Sequence, residues 1–60
     1  MKAGEYYTHK HMHKFSCSIV EICRNGAKVE VYEGKKKPKI MYFEEVYFEQ
    51  SDRGVWIKVM

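Results

Sequence analysis

Long apolar runs are missing from this sequence. No stretch approaches the ~20 residues that cross a bilayer as a helix, so no membrane span is expected. The opening Met1-Lys2-Ala3-Gly4-Glu5 lacks the apolar core of a secretion signal. Gly4, Gly26, Gly34 and Gly54 stand singly at turns, so no glycine-rich loop is built to cradle a phosphate. Pro38 is the only proline, and there is no linker, repeat or low-complexity stretch. Cysteine occurs twice, as Cys17 and Cys23. On one extended strand their Cα atoms stand about 20 Å apart, far beyond the ~7 Å that a disulfide tolerates. The spacing fits neither a zinc knuckle nor a redox pair. Both are read as reduced, small, mostly buried side chains of a cytoplasmic protein.

What is present describes one small globular domain, residues 1–60. The chain is 45% apolar, 32% charged and 15% aromatic, too apolar for a disordered tail. A chain of this size buries only about 60% of its unfolded surface, which makes stability marginal and a deep substrate cleft hard to enclose. Eleven Lys and Arg against eight Asp and Glu give a net charge of +3, which excludes an acidic nucleic-acid mimic. The cations concentrate in Lys35-Lys36-Lys37-Pro38-Lys39, and Glu44, Glu45 and Glu49 follow, so a basic loop beside an acidic surface is expected.

The segments between turns read as strands. Phe15-Ser16-Cys17-Ser18-Ile19 alternates apolar with small polar residues, and the phase slips at Val20, which predicts a β-bulge near Ile19-Val20 or a strand buried on both faces. Asn25-Gly26 predicts a type I′ hairpin turn. Lys28–Glu33 alternates with Val29 and Val31 inward, and Val55–Val59 alternates with Val55, Ile57 and Val59 inward. Turns are expected at Gly34–Lys39 and at Ser51–Gly54. Lys39–Phe43 and Val46–Gln50 are read as strands with a kink at Glu44-Glu45, the alternative being one helical turn over 43–48. Residues 1–13 read as a polar arm or an edge strand. The expected fold is therefore all-β and mainly antiparallel: four to five short strands closed into a small SH3-like barrel. Phe15, Cys17, Ile19, Val29, Val31, Phe43, Val46, Val55, Ile57 and Val59 are its expected core.

Gly4-Glu5-Tyr6-Tyr7, the strand Phe15–Cys23, then Val29-Glu30-Val31-Tyr32 and Tyr42-Phe43-Glu44-Glu45-Val46 follow one another in a layout that resembles small SH3-like domains of short phage and prophage proteins. The resemblance covers most of the chain. It implies the same barrel, and a protein that acts by blocking a host or defence enzyme.

His9-Lys10-His11-Met12-His13 is the one conspicuous cluster. On a strand, His9, His11 and His13 fall on one face about 6.6 Å apart. Such a pair can give two ligands to zinc or nickel, with Cys17 or Glu5 completing the set. No acidic partner stands near to orient the rings, so a solvent-facing arm is the stronger reading, and no metal or other cofactor is expected. Cys17 or Cys23 with His13 would make a nucleophile and base, but nothing in the spacing selects them, and no enzyme is expected.

Two kinds of partner remain. Small barrels bind single-stranded nucleic acid with aromatic platforms ringed by cations, and Lys35, Lys36, Lys37 and Lys39 with Tyr6, Tyr7, Tyr32, Tyr42, Tyr47 and Trp56 are the candidates. The interleaved Glu30, Glu33, Glu44, Glu45 and Glu49 oppose phosphate. Protein binding fits better. Tyr42, Tyr47 and Trp56 lie opposite the expected core parity, which makes them exposed anchors for a larger protein or for a homodimer.

Overall fold

The computed structural model describes residues 1–48 and 52–59. Glu49, Gln50, Ser51 and Met60 lie outside the described residues, and with them the second half of the expected 46–50 strand and the start of the expected 51–54 turn. The strands are β1 (Tyr6–His9), β2 (Phe15–Cys23), β3 (Gly26–Glu33), β4 (Lys39–Glu44) and β5 (Trp56–Lys58), with one 3-10 turn at Glu45–Phe48 between β4 and β5. All pairings are antiparallel, in the order β4-β3-β2-β1-β5. The expected all-β fold is what forms. The sheet curls until the Phe43 ring of β4 meets Trp56 of β5, centroids 5.5 Å apart, although β4 and β5 are its two edges. The result is a small barrel-like sheet left open between those edges.

The β-bulge is where the phase slip places it: the β2–β3 register shifts between Ile19 and Glu21, and Val20 is turned out to solvent. The Asn25-Gly26 hairpin also forms, but not by the predicted geometry. Arg24 and Asn25 are the loop, Gly26 already pairs with Cys23, and neither Asn25 nor Gly26 has a positive φ. Gly26 serves a different purpose. A Cβ on it would collide with the Phe43 carbonyl oxygen and lie 2.8 Å from the Glu44 Cα, so its hydrogen lets the β4 backbone close onto β3. Positive φ is instead used at Gly34, φ 56°, where the β3–β4 turn begins.

Two other expectations give way. Residues 6–9 are neither an arm nor an edge, because β1 pairs with β2 on one side and β5 on the other. Residues 46–48 are not a strand; Val46, Tyr47 and Phe48 belong to the 3-10 turn, the alternative reading of 43–48. Their β propensity is overridden because the chain must cross the open side of the barrel from β4 to reach β5 beside β1. In doing so it buries Phe48 edge-on against Tyr7, centroids 5.2 Å apart.

The core is Tyr7, Cys17, Ile19, Ala27, Val29, Val31, Phe48 and Trp56, with Phe15, Phe43, Tyr47 and Val55 packed against it. This overturns the parity predicted for β5. Trp56 is 3% exposed, whereas Ile57 and Val59 are 43% and 58% exposed. Thr8 pairs with Ile57 and His9 with Trp56, so Trp56 shares the inner face with His9 and Tyr7. A tryptophan removes far more apolar surface from water than either aliphatic neighbour, and the register that buries it wins.

Glu5 fixes the start of β1. The Lys2 backbone N–H donates to its Oε1 at 2.7 Å, the Tyr7 hydroxyl donates to the same oxygen at 3.0 Å, and Lys58 Nζ stands 2.9 Å from Oε2. Lys58 above all holds the carboxyl at about 2, down from 4.5. A lowered folded-state pKa adds stability that is complete above the unfolded value and lost as pH falls through the folded one. Acid is therefore expected to lower the melting temperature between pH 4.5 and about 2 through Glu5. Glu5→Gln should start from a lower melting temperature at neutral pH and lose that part of the acid dependence. Parallel wild-type and variant slopes over this window would remove Glu5 from the account.

Candidate functional site

Two exposed surfaces meet at the open side of the barrel. The first is β4 itself. Among the described residues it pairs only with β3, it carries no charge between Lys39 and Glu44, and Ile40 and Tyr42 are 56% and 50% exposed on the outer face. Edge strands are usually protected by a central lysine, a proline or a bulge. β4 has none of these within its span, Pro38 lying just before it.

The outer face of the sheet continues inward from this edge. Ser16 and Ser18 are small, and Tyr6 and Tyr32 lie diagonally across them, their rings stacked 6.5 Å apart. The Tyr32 hydroxyl donates to Glu30 at 2.6 Å and lies 3.1 Å from Ser18 Oγ. Donation to Glu30 raises the phenol's pKa, so the group stays a neutral donor. A face of tyrosine, serine and threonine, edged by Ile40, Ile57 and Val59, combines rigid apolar area with adaptable hydrogen bonding.

The second surface is on the inner side. An apolar cleft of about 240 Å³ opens between β4, the loop after β1 and the start of β5. Phe15, Phe43, Val55 and Trp56 form its walls, and Met12 and Met41 stand half-exposed at its rim. Met41 faces inward yet remains in solvent, because among the described residues no strand pairs with the outer edge of β4. A smaller pocket of about 130 Å³ adjoins it, sharing Phe15 and Met41 and bounded by Lys36, Lys37 and Lys39. Glu33 also borders this pocket, paired with Lys14 at 3.2 Å and Lys36 at 3.6 Å; Lys14 first, then Lys36, lowers its pKa. The salt bridges found among the described residues do not include Lys37 or Lys39.

The residues singled out in the sequence fall into place unevenly. Tyr42 is an exposed edge residue, but Tyr47 is half-buried with its ring 6.4 Å from Phe43, and Trp56 is in the core. The three therefore do not make one exposed patch. The Trp56 Nε1–H has no hydrogen-bond acceptor among the described residues, and the indole is instead enclosed by the rings of His9 and Phe43.

His9, His11 and His13 do not share a strand face, because β1 ends at His9. His9 Nδ1 accepts the backbone N–H groups of His11 at 3.1 Å and Met12 at 3.0 Å, which folds the chain back toward β2. Burial, and then the neighbouring His11 and His13, lowers the His9 pKa. Among the described residues no three His, Cys, Asp or Glu side chains are grouped to hold an ion. Cys17 and Cys23 are free thiols, and burial pushes Cys17 up to about 12, the opposite of an activated nucleophile. Lys36, Lys37 and Lys39 border the smaller pocket that adjoins the cleft, and Lys35 lines neither. Sequence reasoning did not find Met12 and Met41; the signal was their exposure on either side of a gap that only the strand order reveals.

No protein-family model, curated protein or solved structure matches the chain.

Proposed function

We propose that this chain is a non-catalytic binding module that acts through protein–protein contact, in the manner of a small phage or mobile-element protein that blocks a host or defence enzyme. The unprotected edge of β4 carries this reading. Six residues with no central charge, and with no second partner strand among the described residues, accept an added strand, which satisfies the open backbone groups and covers Ile40 and Tyr42. The partner is an extended segment of a larger protein. The inactive Cys17 thiol supports a role without covalent chemistry.

The test compares capture by wild type and by Tyr42→Lys. Tyr42 is exposed, so the variant should keep its fold to within about 0.5 kcal/mol. Wild type is expected to retain one stoichiometric protein at moderate salt, and a lysine on the edge should abolish that retention. Three outcomes count against the reading. One is retention of nucleic acid alone, lost steeply with salt and on Lys35→Glu plus Lys37→Glu. Another is capture indifferent to Tyr42. The third is edge-dependent self-association with no second protein, which would make the partner a second copy.

A further inference from the structure

The cleft on the inner side of β4 has a chemistry of its own, distinct from the backbone edge. Apart from His9 its walls are apolar, and its rim is two methionines, flexible side chains that adapt to an apolar guest. At about 240 Å³ it lies below the usual range of pockets that engulf a small molecule. It is sized for one or two side chains of a chain lying across it. At one end it runs into the pocket bounded by Lys36, Lys37 and Lys39, whose only carboxylate, Glu33, is already shared between Lys14 and Lys36. Across the cleft the segment after β1 adds Met12, beside His9 at the end of β1. We infer that the cleft is a docking site for an acidic-apolar peptide segment, whose large apolar side chains seat against Met12, Met41 and Phe43 and whose carboxylates meet Lys37 and Lys39.

Charge complementarity decides the sign of the guest. A nucleic acid would satisfy the lysines but not the cleft. Bases stack on exposed flat rings, whereas Phe43 and Trp56 pack edge-to-face against each other, the cleft's other rings are at most half-exposed, and the methionines are its exposed side chains. The inference rests on the protein-binding reading and names the chemistry of the segment bound.

Trp56 is the sole tryptophan and lines the cleft, so its emission reports occupancy directly. The probe is a synthetic peptide of about eight residues carrying leucine and phenylalanine followed by a run of glutamates, long enough to cross the six-residue edge. Saturable change in Trp56 emission is expected, weakening as salt rises from about 50 mM to about 0.5 M. Lys37→Glu plus Lys39→Glu should weaken binding at least about tenfold, and Met41→Glu should do the same. All three positions are exposed, and unchanged far-UV spectra will show that the variants fold. Equal binding of a peptide with lysines in place of the glutamates would overturn the proposal. So would a single-stranded oligonucleotide that displaces the peptide. A Trp56 signal that responds to no peptide overturns the cleft alone, because the reading of β4 is decided separately by Tyr42→Lys.

Discussion

Trp56→Ala is expected to leave the chain largely unfolded at 25 °C. A domain of this size rarely holds more than about 3–5 kcal/mol of net stability, and truncating a buried tryptophan costs about 3–5 kcal/mol. The indole is 3% exposed and is the point at which the two edges of the sheet meet, touching Phe43 of β4 and His9 of β1. Removing it opens a cavity and separates β5 from the rest. Trp56→Phe keeps an aromatic wall and discards an N–H that has no acceptor among the described residues, so it should retain a cooperative melt at a lower midpoint. Far-UV circular dichroism against temperature decides the matter. A cooperative transition in Trp56→Ala within a few degrees of wild type would mean that the core does not depend on this ring.

Gly26→Ala has the second-largest expected effect, and its cause is not conformational freedom. The φ of Gly26 is ordinary for an L-residue. The obstacle is the backbone of β4, with which the new methyl would overlap at the Phe43 carbonyl and crowd the Glu44 Cα at 2.8 Å. A backbone atom cannot swing aside as a side chain does, so β4 must part from β3 where Gly26 pairs with Glu44. The expected loss is about 1–3 kcal/mol, enough to halve the stability of a small domain. Asn25→Ala is the control: Asn25 is an exposed loop residue without a positive φ, and its replacement should fall within about 0.5 kcal/mol. Denaturant melts give the two values. If Asn25→Ala costs as much as Gly26→Ala, the turn and not the close approach governs this hairpin.

The two predictions mark where the sequence was legible and where it was not. Alternation over Phe15–Ile19 and Lys28–Glu33 placed β2 and β3 with the correct faces, and the slip at Val20 located the bulge, because period-two patterning is a local property. The parity of β5 is not local. Val55, Ile57 and Val59 outnumber Trp56, yet a wall of Phe43 and His9 from distant parts of the chain stands on the other side and takes the larger ring. Val46-Tyr47-Phe48 misled for a related reason, since propensity has no knowledge that the chain must cross from one edge of the sheet to the other. Of the surfaces, Tyr42 could be read as exposed from its place between Met41 and Phe43. The cleft could not, since Met12, Met41 and Val55 come from three separate stretches of chain and only the curl of the sheet collects them.

The pairing of Thr8 with Ile57 has a consequence for the order of events when the protein is made. β2, β3 and β4 are neighbours in sequence and in space, a meander that closes short loops and so gathers early. β1 can join it as soon as β2 exists. Its other side must wait for a strand that leaves the ribosome after all four others. Until β5 arrives, Phe43 lacks the Trp56 ring that closes over it and β1 is itself a bare edge. The nascent chain therefore spends the interval before β5 emerges with two edges for a stranger to pair with, and Trp56 is what brings that interval to an end.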